Sequence, residues 1–229
     1  MITSMYKKYE HTIVISNRAL VQGDFFEQMQ KVICLHPHAV ILREKDLPDE
    51  EYKMLAEKVL DMCREEDVNS FLHSRISIAK SLDCGRIHLS IPVLKSMKEE
   101  ERRNLRKDFQ EISVSCHSME DMKTAVKNGA TQIILGTIFE TECKKGLKGK
   151  GLEFVREICK ACPVPVYAIG GINMESAAGD GCRCGRRMYD VRFYENVVLK
   201  YAVRIGEFGA LSGILPFSGK TKEPEHLDL

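Results

Sequence analysis

Residues 132–151 read QIILGTIFETECKKGLKGKG. The apolar run Ile133–Leu135 is typical of a buried strand, and it ends at Gly136. The polar loop that follows carries Thr141 and Lys144 among further glycines. Because glycine lets backbone amides approach a ligand closely and lysine adds positive charge, this loop suits a phosphorylated small molecule. The alternative, from composition alone, is a flexible surface loop.

A second strand that ends in glycines lies at residues 164–173, which read VPVYAIGGIN. Its apolar part, Val166–Ile169, leads into Gly170 and Gly171, with a helix start predicted behind them. Two glycines between a strand and a helix N-terminus favour phosphate binding, although an ordinary strand-to-helix turn has the same sequence. Together the two segments predict the last phosphate-binding strands of an α/β fold, a TIM (β/α)8 barrel.

Strand-like runs recur along the chain at intervals of roughly 26 residues, with helical patterns between them. They begin near residues 12, 39, 70, 86, 111, 132 and 166. This alternation predicts parallel βαβ units, for which a doubly wound open sheet is the alternative. We favour the barrel, because polar side chains follow nearly every strand and a barrel gathers all strand ends around one mouth.

Capping residues predict where several helices begin and end. Asp24 and Ser118 are each followed three residues later by an acidic side chain, which is typical of a helix start. Pro48 suits the first turn of another helix, and Gly129 is placed to end the helix that starts at Ser118.

The composition excludes several classes of partner. The 229 residues include 34 Lys and Arg against 33 Asp and Glu, so the net charge is +1. This balance disfavours nucleic acid and anionic membranes as partners. Neither a signal segment nor a run of 18 apolar residues occurs in the sequence, and we expect a cytoplasmic protein. The oligomeric state stays open, and a homo-oligomer is compatible with the sequence.

The nine cysteines raise the question of a metal site. An odd, scattered set in a cytoplasmic chain is more typical of buried thiols than of disulfides. Cys159 and Cys162, followed by Cys182 and Cys184, have zinc-like spacing, but we predict no metal site.

Four motifs give the chain a resemblance to the thiamine phosphate synthase/TenI family, over roughly residues 10–178. They are ILREK at 41–45, SVSCHS at 113–118, FETECKKGLKGKG at 139–151 and AIGGI at 168–172. The third is the most specific, and it looks closest to the TenI branch, the thiazole tautomerases. The resemblance implies a TIM barrel that acts on phosphorylated thiamine precursors.

The resemblance also separates the two branches of the family. The synthase branch joins a pyrimidine diphosphate to a thiazole phosphate with Mg2+, and its motifs expect Asn-Asp where His73 and Ser74 stand here. An aspartate is also expected after the fourth strand, where Ser90 leads into Ile-Pro-Val. Diphosphate chemistry needs a cation to neutralise the leaving group, so the missing carboxylates disfavour the synthase.

The TenI branch resembles an isomerase that aromatises a carboxythiazole phosphate and needs no cofactor. Such chemistry needs one positioned acid/base, and histidine is suited to that role near neutral pH. His117 matches the histidine of the family motif and directly follows a predicted strand. We therefore predict His117 as the catalytic residue, with a helix-capping or buried structural histidine as the alternative.

The resemblance further implies a set of substrate-binding residues. Arg43 and Lys45 match the family's substrate-facing R-x-K, and alternation along a strand puts both on one side. Glu44, between them, is an alternative ion-pair partner. His73 and Cys116 are expected to face the mouth. The predicted substrate-binding residues are Arg43, Lys45, His73, Thr141, Lys144, Gly170 and Gly171.

Residues 179–229 do not fit a barrel, which needs an eighth βα unit. Gly179–Val191 has neither helix nor strand periodicity, and the last dozen residues look like a polar tail. We interpret residues 1–178 as the barrel and residues 179–229 as an atypical segment that is read out of frame. The alternative is that residues 190–215 supply a substitute strand or helix, for which Val197–Ile205 is apolar enough.

Three functions follow from these patterns. The first is a thiazole tautomerase-like isomerase that acts on a small phosphorylated thiazole. The second is thiamine phosphate synthase, a transferase that would require Mg2+. The third is a non-catalytic phosphate-binding or regulatory member of the family.

Overall fold

The computed structural model describes residue 9, residues 11–139 and 149–172, and the backbone of residues 200–204. Within these residues the strands are Thr12–Ile15 (β1), Ala39–Leu42 (β2), Asn69–His73 (β3), Arg86–Ser90 (β4), Glu111–Cys116 (β5), Gln132–Gly136 (β6), Val166–Ile169 (β7) and Lys200–Arg204 (β8). All seven predicted strands are confirmed.

Seven α-helices occur in the described part of the chain. They are Phe25–Ile33 (α1), Asp49–Glu65 (α2), Ile76–Ser81 (α3), Ile91–Ser96 (α4), Glu99–Asp108 (α5), Met119–Lys127 (α6) and Gly151–Ala161 (α7). The predicted caps are confirmed, since Asp24 accepts a hydrogen bond from the amide of Glu27 and Ser118 from that of Asp121. Pro48 is the N-cap of α2, one residue before the helix begins. None of these helices combines the length and apolar character that crossing a bilayer requires.

The strands form one closed barrel in the order β1 to β8. Strands β1 to β7 pair in parallel, each with its neighbour in sequence, as expected for repeated βαβ units. The predicted TIM-type barrel is therefore confirmed, and the described part of the chain has no regular, parallel eighth unit, as predicted.

The eighth position is filled by a strand that runs against the others. β8 pairs antiparallel with β1, where Ile13 faces Ala202, and antiparallel with β7, where Ala168 faces Val203. This is the substitute strand that the apolar run at 197–205 allowed. Residues 179–196 lie outside the described residues, so the out-of-frame interpretation stays a prediction.

Two apolar clusters follow from the alternation of side chains along the strands. The larger one lies between barrel and helices and joins strand residues such as Val14 and Leu72 to helix residues such as Val59 and Ala125. The smaller one fills the barrel interior with Ile13, Ile15, Ala39, Ile41, Phe71, Ile134 and Tyr167. Polar side chains complete the interior near the carboxyl ends of the strands, and they define the site.

Candidate active site

The carboxyl ends of β1 to β7 meet at one end of the barrel, which we call the mouth. His117 directly follows β5, Arg43 and Lys45 follow β2, and His73 is the last residue of β3. A cavity of about 220 Å3 lies at the opposite end, beside the strand starts at Asn69 and Arg86. Because catalytic groups of parallel barrels lie at the mouth, we assign no chemistry to that cavity.

His117 is exposed at the mouth and held in a defined orientation. Its backbone amide donates to Asp121 Oδ2 over 2.8 Å, which fixes the residue to the start of α6. Its Nδ1 lies 2.6 Å from the carbonyl oxygen of Gly136, at the end of β6. Since a carbonyl oxygen can only accept, Nδ1 carries the proton. In the neutral ring Nε2 is then the basic nitrogen, and it has no partner among the described residues.

Arg43, Lys45 and His73 lie together on the β2–β3 side of the mouth. Burial, together with the nearby positive charges of Arg43 and Lys45, lowers the pKa of His73 to about 4. Burial and Arg43 also lower the pKa of Lys45. No carboxylate among the described residues pairs with Arg43 or Lys45. The structure thus brings these three predicted residues together as a cationic group beside an uncharged imidazole, which can accept an anion.

Glu44 does not pair with its neighbours in sequence. Its carboxylate is 3% exposed and accepts from Ser16 Oγ at 2.5 Å and from the amide of Arg18 at 3.1 Å. The guanidinium of Arg18 approaches the same carboxylate at 3.5 Å. The interpretation of Glu44 as the partner of Arg43 and Lys45 is therefore wrong, because its carboxylate is taken up by Ser16 and Arg18, which follow β1.

A buried histidine beneath the mouth was missed by the sequence analysis. His88 is 2% exposed, and its Nδ1 and Nε2 each lie 2.8 Å from a serine hydroxyl, Ser113 and Ser115 respectively. Its ring centroid is 5.6 Å from that of His73. Burial foremost, and then His73, lower the pKa of His88, so the ring is uncharged.

The period-two pattern of polar residues on β4 and β5 could have revealed this group. Arg86, His88 and Ser90 alternate with apolar residues on β4, as Ser113 and Ser115 do on β5. Cys116 was predicted to face the mouth, and this prediction is wrong. It is 0% exposed and packs in the outer cluster, since it alternates with Ser115 and His117.

Gly170 is required by a close approach of two backbone segments at the end of β7. It has φ +99°, and its carbonyl accepts from the amide of Phe139 over 2.9 Å. A Cβ atom at this position would lie 2.5 Å from Thr137 Cγ2 and 3.1 Å from Thr137 Cα. The contact gives Gly170 a structural role, while phosphate binding by Gly170 and Gly171 stays a prediction. Thr141 and Lys144 lie outside the described residues.

We expect a Gly170→Ala variant to be destabilised by about 2–4 kcal/mol, because strain at positive φ adds to a steric clash. Gly23→Ala is the matched control, since Gly23 has φ +86° but nothing within 4 Å of an added Cβ. The control should lose only about 1–2 kcal/mol. Urea unfolding of both variants measures the difference, and equal losses would contradict the steric argument.

The described residues at the mouth do not fit a magnesium ion. Mg2+ prefers carboxylate oxygens, but β3 is followed by Ser74, and β4 ends in Ser90. Glu44, the buried carboxylate near this end, is already satisfied by Ser16 and Arg18. Among the described residues, no three His, Cys, Asp or Glu side chains form a metal-binding group.

Cys159 and Cys162, the first half of the zinc-like pattern, lie at the end of α7 and just beyond it. Burial raises the pKa of Cys159 to about 11 and also raises that of Cys162, which disfavours the thiolate that zinc requires. Cys182 and Cys184 lie outside the described residues.

Fold and site define a barrel protein of the TIM type, with charged and polar side chains gathered at the carboxyl ends of its parallel strands. The sequence model of the family described as thiamine monophosphate synthase (TMP-TENI) matches residues 12–180. The chain belongs to this family, the thiamine phosphate synthase/TenI family, as the four motifs predicted.

Similar sequences and a similar solved structure support the same family assignment. The chain is 32% identical to a thiamine-phosphate synthase of Caldanaerobacter subterraneus over 176 residues, covering 75% of this chain and 79% of that protein. It is 31% identical to a chloroplast thiamine biosynthetic bifunctional enzyme of Arabidopsis thaliana, over 76% of this chain but only 30% of that enzyme. A solved thiamine phosphate pyrophosphorylase from Pyrococcus furiosus superposes with a TM-score of 0.62 at 27% identity, over 74% of this chain and 80% of that one.

Proposed function

We propose that this member of the family is an isomerase that aromatises a carboxythiazole phosphate by proton transfer through His117. The observation that carries the proposal is the contact between His117 Nδ1 and the carbonyl of Gly136. It fixes the tautomer in which Nε2 is the base and turns that nitrogen away from the β5–β6 contact. A base in one fixed tautomer can take a proton from a ring carbon and return it elsewhere on the same ligand.

The distribution of charge at the mouth supports a substrate with two anionic groups. Arg43 and Lys45 follow β2, whereas the glycines at 149–151 and 170–171 lie beside β6 and β7, across the barrel. A phosphate on the glycine side would leave a ring carboxylate for the two cations. Their lack of carboxylate partners among the described residues supports this, since unpaired cations are available to a ligand.

The second candidate is thiamine phosphate synthase itself, and the names of the relatives favour it over the isomerase. Those names describe proteins about 30% identical to this chain. Against this candidate stand Ser74, where the synthase motif expects an aspartate, and the run Ile91-Pro92-Val93 after β4, where it expects another. The proposed proton transfer needs neither metal nor cofactor.

A paired assay separates the two candidates. We expect the purified chain to convert the unaromatised carboxythiazole phosphate, followed by ultraviolet absorbance, equally fast with EDTA and with Mg2+. We expect no diphosphate release from a pyrimidine diphosphate and a thiazole phosphate with Mg2+. Metal-dependent diphosphate release would replace the proposal by the synthase. Stabilisation by the thiazole phosphate without turnover in either assay would favour a non-catalytic binding protein.

A further inference from the structure

Tyr52 makes two hydrogen bonds that join two strand ends. It lies in α2, is 1% exposed, and donates from its hydroxyl to the carbonyl oxygen of Leu42 over 2.7 Å. The hydroxyl oxygen of Tyr52 in turn accepts a hydrogen bond from the backbone amide of His73 over 3.1 Å. Leu42 and Leu72 are the last paired residues of β2 and β3. The hydroxyl therefore continues the contact between the strands one residue beyond the end of their ladder.

The residues next to these two contacts are those of the cationic group. Arg43 directly follows Leu42, Lys45 lies two residues further, and His73 is itself a partner of the hydroxyl. The electrostatic influence of Arg43 and Lys45 on the His73 ring requires that they lie near it. The distance between the β2 and β3 ends thus sets the arrangement of the whole group.

A second contact holds Tyr52 in place. The guanidinium carbon of Arg75 lies 5.1 Å from the centre of the Tyr52 ring, within the range of a cation–π interaction. Arg75 also donates to the carbonyl of Leu47 over 2.6 Å and pairs with Asp49 at the start of α2. Arg75, in the β3–α3 loop, thus links the Tyr52 ring to the start of α2.

We propose that Tyr52 is a positioning residue, whose hydroxyl holds the ends of β2 and β3 together so that Arg43, Lys45 and His73 form one anion-binding group. This inference rests on the proposed function for the identity of the anion, which is the second anionic group of the substrate. Tyr52 acts through Arg43 and His73, and it contacts no substrate itself.

The test is a Tyr52→Phe variant of the full chain, which removes one oxygen and keeps the ring packing. We expect KM for the carboxythiazole phosphate to rise about fivefold, while kcat stays within twofold of the parent. This rise in KM corresponds to the loss of about one hydrogen bond between the anion-binding group and the substrate. Tyr167→Phe is the matched control, because Tyr167 is 2% exposed and lies near the opposite end of the barrel, stacked on His38. The control should leave KM unchanged even where it lowers stability.

A second readout needs no turnover. We expect NMR titration of the His73 imidazole to give a pKa about one unit higher in Tyr52→Phe than in the parent. Without the hydroxyl, His73 should be less buried and the two cations further from its ring, so both causes of its low pKa should weaken. An unchanged titration together with an unchanged KM would overturn the inference and leave Tyr52 a structural residue. A raised pKa in a chain that shows no isomerase activity would support Tyr52 and overturn only the proposed function.

Combining the variant with Arg43→Gln tests the route of the effect. If Tyr52 acts mainly through Arg43, the double variant should have nearly the same KM as Arg43→Gln alone, since the guanidinium that the hydroxyl positions is then gone. Independent, multiplying increases of KM would contradict this route.

Discussion

A His117→Gln variant is expected to isomerise the carboxythiazole phosphate about 10²–10⁴-fold more slowly than the parent, with KM changed less than threefold. Glutamine can still donate to the carbonyl of Gly136, so the β5–β6 contact is largely kept. It cannot take up a proton at neutral pH, and so the chemical step alone should suffer. Steady-state kinetics on the purified variant, under saturating substrate, measure the loss of kcat.

His36→Gln provides the control for the His117 experiment. His36 is a partly exposed histidine whose Nε2 lies 3.8 Å from Glu66, between α1 and β2 at the opposite end of the barrel. Its substitution should leave kcat and KM as in the parent. A His117→Gln variant as fast as this control would remove His117 from the mechanism and leave the mouth as a binding site only.

The sequence was sufficient to predict the regular part of the fold because each unit carries its own signals. Fully buried parallel strands appear as uninterrupted apolar runs, as in Ala39–Leu42 and Ile133–Leu135. Caps such as Ser118 and Gly129 act within one turn, and their effect can be predicted from neighbouring residues alone. The positions of His117, Arg43 and His73 followed, since a residue after a parallel strand can only lie at the mouth.

The closing strand could not be predicted in the same way. Lys200–Arg204 lies in the apolar run Val197–Ile205, which could form a strand or a helix. The direction of the strand depends on pairing with β1 and β7, which are distant in sequence. An apolar run shows that a strand can form, but it carries no information on whether its neighbours run parallel to it.

The errors at the site have a common origin, because neighbours in sequence were treated as neighbours in space. Glu44 was considered as a partner of Arg43 and Lys45 because it is adjacent in sequence, whereas its carboxylate contacts Ser16 and Arg18, which are distant in sequence. Cys116 was assigned to the mouth for the same reason. His88 was missed because it stands between apolar residues, and its contacts with Ser113 and Ser115 connect two different strands.

The stability of the protein is expected to fall steeply as the pH is lowered from about 6.5 towards 4. Burial, followed by Arg43 and Lys45, lowers the pKa of His73 from 6.5 to about 4, and burial lowers that of His88 as well. Between these values the unfolded chain binds protons at both rings and the folded chain does not. Acid therefore favours unfolding. His73 alone should lower the free energy of unfolding by about 3 kcal/mol between pH 6.5 and pH 4.

The slope of the unfolding free energy against pH distinguishes the titration of His73 and His88 from that of other groups. Each buried neutral histidine takes up one proton on unfolding. It should therefore change the free energy of unfolding by up to about 1.4 kcal/mol per pH unit. Urea unfolding between pH 6 and pH 5, above the main range of exposed carboxyl groups, should therefore give a slope of about two protons in the parent. His73→Gln should reduce it to about one. A His73→Gln variant with the parental slope would mean that His73 is charged in the folded protein. The mouth would then hold three positive charges, and its preference for a substrate with two anionic groups would be stronger still.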